Sequence, residues 1–316
     1  MTDKNLIFIV SQPRSGSTLL QALLSNNNHV ATVSEPWLLL PFFTYNKPEL
    51  GLAKYSSRLA YEGINDFKSK INKEKFDNDL SNFLLNQYEQ IRTKNESYIL
   101  DKTPRYYEIL NEITYHFPNA KIIILKRNPF AVLSSIIKTW NQDSLQKLLF
   151  HKRDILVAPK LLHQFTIEQK KNRNVVSIQY EELLSNPEHH TKQLYKWLNL
   201  PYNAEILNYS NNLKFKGKMG DPTGIIANKI PNSSHIDLWK ETYNEKKWKD
   251  FFNGYANFLG SDFLNAYGEY DQINERFSKK FDQFIKQSKW NFYESEIPLK
   301  RIIKYRIFSK LRLTKF

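Results

Sequence analysis

No cysteine occurs anywhere in the 316 residues. Disulfides, thiolate nucleophiles and Cys-ligated zinc are thereby excluded, and a reducing compartment is the default expectation. No run of 18 uninterrupted apolar residues exists either, so no segment reads as a bilayer-spanning helix. The first apolar run begins at Leu6, which leaves no room before it for a signal peptide or membrane anchor, and a cytoplasmic location is expected. Internal repeats and low-complexity linkers are also missing. What remains is 41% hydrophobic, enough for the core of one large α/β domain with insertions or of two small ones.

Charge is the strong bias. The net charge is +14, and the stretch Glu275–Phe316 holds twelve basic against four acidic residues, so +8 of the excess lies there. Such a bias bears on partners and location rather than on the fold. Within it, Leu299, Ile303, Ile307 and Leu311 recur every four residues among cations without one acid. A basic amphipathic helix over 299–316 fits two roles: lying on the anionic inner face of a membrane, or docking on the domain with a solvated basic face. Aromatic residues are not interleaved with the cations as a nucleic-acid stacking platform needs, so no nucleic-acid partner is expected.

The chain is organised around Leu6-Ile7-Phe8-Ile9-Val10, then Ser11-Gln12-Pro13-Arg14-Ser15-Gly16-Ser17-Thr18, then a run with apolar residues at helical spacing. A strand feeding a helix through a tight turn aims unpaired N–H groups and a positive dipole end at one spot. Arg14 adds a planar fork of donors there, and Ser15, Ser17 and Thr18 add hydroxyls. The spot is an anion cradle. It is not a regular nucleotide P-loop: Ser11 stands where the first Gly would be, and Ser17 where the Lys would be. The strand Lys121–Lys126 ends in Arg127 rather than in a magnesium-holding Asp, so no metal is expected.

Further along, Ser34-Glu35-Pro36-Trp37 places a carboxylate before a proline, which favours extended backbone at Glu35. Residues 46–95 read as mostly helical, either an insertion shaping an acceptor pocket or plain scaffold. Tyr98-Ile99-Leu100 reads as a short strand, with Lys102 just beyond it and Thr103 capping a helix that starts at Pro104. Open α/β sheets place ligands at such strand ends. Arg127-Asn128-Pro129 opens a second strand-loop-helix unit, carrying Ser135 eight positions on. Ser144 to about Gln169 reads as helix, Val175–Tyr180 as a strand, and 214–232 as a loop. Tyr180, at that strand's end, suits either core or ligand. The seven histidines fall at no convincing site; His116, His151, His163, His189 and His190 read as surface or helix-face residues. Strands alternating with helices predict a parallel sheet covered on both faces.

Together these motifs resemble the sulfotransferases that use 3′-phosphoadenosine 5′-phosphosulfate (PAPS). Pro13–Thr18 resembles their 5′-phosphosulfate loop, and Arg127-Asn128-Pro129 with Ser135 resembles their 3′-phosphate site. Gln179-Tyr180-Glu181-Glu182-Leu183, Asn186-Pro187-Glu188 and Trp197–Pro201 are similar to stretches of tyrosylprotein sulfotransferases and bacterial relatives. Asp101-Lys102-Thr103-Pro104 resembles a Lys-Thr-Pro element of heparan sulfate sulfotransferases. The resemblance covers about residues 6–240. It implies an α/β, P-loop-like parallel sheet flanked by helices, the sulfotransferase fold, over 1–270, with 46–95 as a helical insertion and 271–316 as a basic helical extension.

By the same resemblance, Arg14, Ser15, Gly16, Ser17 and Thr18 hold the 5′-phosphosulfate, Arg127 and Ser135 the 3′-phosphate, and Tyr180 the nucleotide. The 214–232 loop covers it. Some relatives carry an Arg where Thr139 stands here. Glu35 matches the catalytic Glu of the tyrosylprotein branch. It is expected to take the acceptor proton, while Lys102 and Arg14 stabilise charge on the transferring group. The expected acceptor is a hydroxyl of a carbohydrate or lipid-linked glycan, with a small molecule or peptide tyrosine as the alternative. A P-loop kinase, or a non-catalytic basic nucleotide- or nucleic-acid-binding module, is the reading outside this class.

Overall fold

The computed structural model describes residues 1–47, 57–93, 96–140, 142–209, 230–231, 233, 236–268 and 273–290. Apart from 230 and 231, the loop expected at 214–232 lies outside the described residues, as does the basic helix at 299–316. Five strands form one parallel sheet, β1 (Leu6–Ser11), β2 (Val30–Thr32), β3 (Tyr98–Lys102), β4 (Lys121–Lys126) and β5 (Val175–Gln179). Their spatial order is β2-β3-β1-β4-β5. β1 is central and fully buried, which is why it reads as an unbroken apolar run. Alternate residues feed different cores. Leu6, Phe8 and Val10 pack with Tyr88, Tyr106 and Phe117, whereas Ile7 and Ile9 pack with Leu20, Leu23 and Leu24.

The connection after β1 runs through α1 (Ser17–Ser25) to β2 at one edge. The connection after β4 runs the other way, through α6 (Pro129–Thr139), to β5. Adjacent loops therefore diverge at the carboxyl ends of β1 and β4, the switch point where open α/β sheets bind ligands. Between β2 and β3 lie α2 (Leu39–Phe43), α3 (Ser57–Ser69) and α4 (Lys73–Glu89). The last two fall in the stretch expected as a helical insertion and are tied together by the buried Lys68–Asp77 pair at 2.6 Å.

The stretch 144–169 is helical, as expected, in three pieces, α7 (Leu145–Leu148), α8 (Lys152–Leu156) and α9 (Ala158–Glu168), with a 3-10 turn between the first two. Pro159 explains the last restart: its ring is tolerated in a first turn but would clash inside a continuous helix. Two expectations need correcting. Thr103 stands at the N-cap of a 3-10 turn, Pro104–Glu108, but its hydroxyl makes no capping bond and donates to Asp101 at 2.7 Å instead. And β3 runs two residues further than its apolar stretch, so Lys102 ends the strand, opposite Ile9 of β1, and is fully buried.

Asp101 can be buried in β3 because Tyr88, Tyr106 and Thr103 donate hydroxyls to it at 2.6, 3.0 and 2.7 Å. Burial still wins over those donors and pushes its carboxyl from 3.8 up to about 6. Between those values the folded chain keeps a proton that the unfolded chain has released, so stability falls as pH rises through that window. Urea midpoints measured across it should fall with pH in the parent, and Asp101→Asn should remove that part of the slope.

After β5, α10 (Tyr180–Ser185) and α11 (Pro187–Trp197) return along the sheet. α12 (Trp239–Asn244), α13 (Lys246–Leu259), α14 (Ser261–Gly268) and α15 (Lys279–Trp290) complete the described chain. Although α15 lies beyond residue 270, it packs into the same core as α6 and α13 through Phe281 and Phe284. Gly254 permits this: a Cβ there would stand 2.5 Å from that of Phe281.

Candidate active site

The loop between β1 and α1 carries two left-handed residues, Arg14 at φ 72° and Gly16 at φ 83°. Gly16 precedes the first turn of α1, whose leading N–H groups have no partner within the helix. A Cβ at Gly16 would lie 2.1 Å from the Tyr180 ring, so the tyrosine closes directly over the loop. Tyr180 in turn stacks on the Arg127 guanidinium, 4.6 Å from the ring centroid. Arg127 also donates to the Arg14 carbonyl at 2.8 Å. The two strand-end units are thereby joined into one cradle.

That cradle has unmet donors. The Ser15 hydroxyl and the Arg127 Nε are buried without a hydrogen-bond partner among the described residues. Buried polar atoms are nearly always satisfied in a folded protein, so both mark places where an anion fits. Asn128 holds the second unit in shape: its side chain accepts from the Phe130 amide at 2.9 Å, and its own amide donates to Glu181 at 3.0 Å. Just before it, burial brings the Lys126 ammonium down to about 8.

Arg14 is not directed only at its own loop. Its guanidinium donates to Ser135 at 3.2 Å and to Thr139 at 3.3 Å, and lies 5.6 Å over the Trp140 ring. The cation missing from position 139 in the sequence is thus supplied in space by Arg14.

The second half of the site lies across β1. Lys102 Nζ donates to Glu35 Oε1 at 2.7 Å and to Thr18 Oγ1 at 3.4 Å. The side chain of Lys102 is 1% exposed and that of Glu35 13%. A pair this sheltered is screened little by solvent and holds its geometry. Glu35, Lys102 and the first turn of α1 are therefore in one contact chain. Ser17 is buried in that first turn.

Several neighbours were not visible in the sequence. The Trp37 indole donates to Glu35 Oε2 at 3.3 Å, and Trp37 itself has φ 54°. Arg105 lies 5.4 Å over the Trp37 ring and binds Asp154 through two nitrogens at 3.0 and 2.7 Å. Asp154 is buried and also accepts from Tyr107 at 2.8 Å. Burial opposes its charge, but the Arg105 guanidinium and the hydrogen bonds hold its carboxyl well below the usual range. The Asp154 carbonyl accepts from Gln12 of the anion loop at 2.8 Å. His151 lies 3.6 Å from Asp154 and stacks on Trp140 at 4.4 Å, so it is not a simple surface residue. His116 is buried too, stacked on Phe43 at 4.7 Å. An Asp directly before the apolar run Ile155-Leu156-Val157 is the signal the sequence offers for this network, and it is a weak one.

No cluster of metal-ligating side chains occurs among the described residues, and no described helix is long and apolar enough to cross a membrane. The site is an anion cradle at the switch point of a parallel sheet, beside a carboxylate–lysine pair. The chain belongs to the sulfotransferase family, whose model matches residues 6–204. PAPS is the donor that its motif resemblance implies.

Among relatives, the nodulation protein NoeE of Sinorhizobium fredii is 28% identical over 135 residues, 43% of this chain and 32% of that protein. The protein-tyrosine sulfotransferase of Drosophila melanogaster is 27% identical over 234 residues, 72% of this chain and 44% of that one. The chain thus spans less than half the length of either. Among solved structures, the sulfotransferase domain from the curacin biosynthetic pathway aligns with a TM-score of 0.52 at 21% identity, covering 90% of this chain and 96% of that domain. The sulfotransferase domain of the Synechococcus PCC 7002 olefin synthase gives 0.53 at 18% identity, covering 86% and 98%. Both share the fold.

Proposed function

We propose that this chain moves a sulfuryl group from PAPS to an acceptor hydroxyl in one in-line step. The Glu35–Lys102 pair beside the first turn of α1 is the observation that carries the reading. Glu35 takes the acceptor proton as the oxygen attacks sulfur. The bond from sulfur to the bridging phosphate oxygen breaks, leaving 3′,5′-bisphosphoadenosine (PAP), and Lys102 supplies positive charge to the transferring group. Ser15, Gly16, Ser17 and Thr18 hold the 5′ end. Arg127 and Ser135, with Arg14 beside them, hold the 3′-phosphate, and Tyr180 packs against the nucleotide. No metal is needed where fixed cations already stand.

A carbohydrate hydroxyl is the acceptor we favour, supported by the Lys102-Thr103-Pro104 element that resembles heparan sulfate sulfotransferases. A tyrosine phenol is the second reading, supported by the similarity to protein-tyrosine sulfotransferases. A screen of saccharides and tyrosine peptides with labelled PAPS separates the two. The donor assignment has its own check: PAP should raise the melting temperature, whereas ATP with magnesium should not. An equal response to both would refute it. We place the enzyme in the cytoplasm, with 299–316 touching an anionic membrane surface; flotation with liposomes, with and without those residues, tests that placement.

A further inference from the structure

The catalytic reading gives Glu35 a proton to take but does not say what aims its carboxylate. One oxygen is fixed by Lys102 at 2.7 Å. The other is reached by the Trp37 indole N–H at 3.3 Å, from two residues along the chain. Trp37 makes this contact from a φ of 54°, a conformation that bulky L-residues rarely adopt. Such strain persists only where the surroundings over-determine it, and it concentrates at functional sites.

The surroundings here are specific. The outer face of the Trp37 ring lies under the Arg105 guanidinium, 5.4 Å from its centroid. Arg105 is in turn locked by the two-point contact to Asp154. Asp154 is buried, and Tyr107 donates to it at 2.8 Å. Its main-chain carbonyl is fastened to Gln12 in the anion loop. The line Gln12–Asp154–Arg105–Trp37–Glu35 therefore runs from the donor cradle to the base through contacts of fixed geometry.

We infer that Trp37 is a positioning residue for Glu35, held in its strained conformation by the Arg105–Asp154 pair. This rests on Glu35 being the base. Fixing both oxygens leaves one orientation of the carboxylate relative to the cradle, and a misplacement of about 1 Å can cost about 100-fold in rate.

The test combines kinetics with a spectroscopic readout. Trp37→Phe removes the N–H and keeps an aromatic ring for Arg105. It should lower kcat about 10- to 100-fold, with acceptor KM and PAP affinity nearly unchanged. Arg105→Met should do the same more weakly. In a Glu35→Gln background neither change should reduce turnover further, because residues acting as one unit are not additive. Turnover is measured with labelled PAPS and the saccharide or tyrosine peptide that the acceptor screen returns.

The indole resonance of Trp37, assigned by its loss in Trp37→Phe, should move upfield in Glu35→Gln, where the amide oxygen stays with Lys102 and the indole N–H loses its acceptor. Losses that persist undiminished in the Glu35→Gln background, an unmoved indole signal, or normal kcat in Trp37→Phe would each overturn the inference while leaving the base assignment standing. Should Trp37→Phe not fold, Arg105→Lys, which keeps a cation beside Asp154 but loses the planar two-point contact, carries the same comparison. Near-normal turnover in Glu35→Gln by itself would instead bring down the base assignment, and the inference with it.

Discussion

Glu35→Gln is expected to reduce turnover by about 10²–10⁴-fold while PAP binds almost as before. The split follows from the geometry. Glu35 belongs to the half of the site beyond β1, and its carboxylate accepts from Lys102 and Trp37 rather than from the Arg127 unit. Glutamine has the same shape and keeps one carbonyl oxygen for Lys102, so the sheltered ammonium is not abandoned. Removing the side chain altogether is a different experiment. Truncating one partner of a buried pair leaves an uncompensated charge and costs about 3–5 kcal/mol of stability. Turnover and PAP affinity should therefore be read on the isosteric variant, with melting temperatures alongside. Equal losses in turnover and in PAP affinity would remove Glu35 from the chemistry.

Gly16→Ala should abolish PAP binding, through two separate effects. The added Cβ would sit 2.1 Å from Cε2 of Tyr180 and 2.5 Å from its Cδ2, so the ring must leave its place over the loop. In leaving, it gives up its stack on Arg127. Alanine also resists φ 83°, at a cost of roughly 1–2 kcal/mol. The variant should melt at lower temperature and show no stabilisation by PAP. Combining it with Tyr180→Ala relieves the overlap but not the backbone penalty, so PAP binding should return only in part. Full binding by Gly16→Ala alone would mean that Tyr180 does not close the cradle.

How much of this was legible in the sequence depends on how local each feature is. The anion loop and the Arg127 unit are contiguous stretches whose chemistry is set by neighbours in the chain, and both fall where they were expected. Lys102 was placed outside its strand because a buried lysine preceded by an aspartate looks like the end of a sheet. Only the tertiary partners, three hydroxyls for Asp101 and one carboxylate for Lys102, make that burial tolerable. The Trp37–Arg105–Asp154 line was invisible because its members lie in different connections and their chemistry appears only on contact. The orientation of Arg14 was also beyond sequence reading: a guanidinium on a flexible stem can serve either end of its own turn, and Ser135 and Thr139 decide which.

The strand order has a consequence for how such an enzyme can change over time. The donor cradle gathers at the β1–β4 crevice, whereas the insertion α3–α4 rises from the β2–β3 connection and reaches the sheet through Leu84 and Tyr88. Mutation on the exposed faces of α3 and α4 alters one border of the molecule while the β1–β4 crevice is inherited intact, so the two borders can drift at different rates.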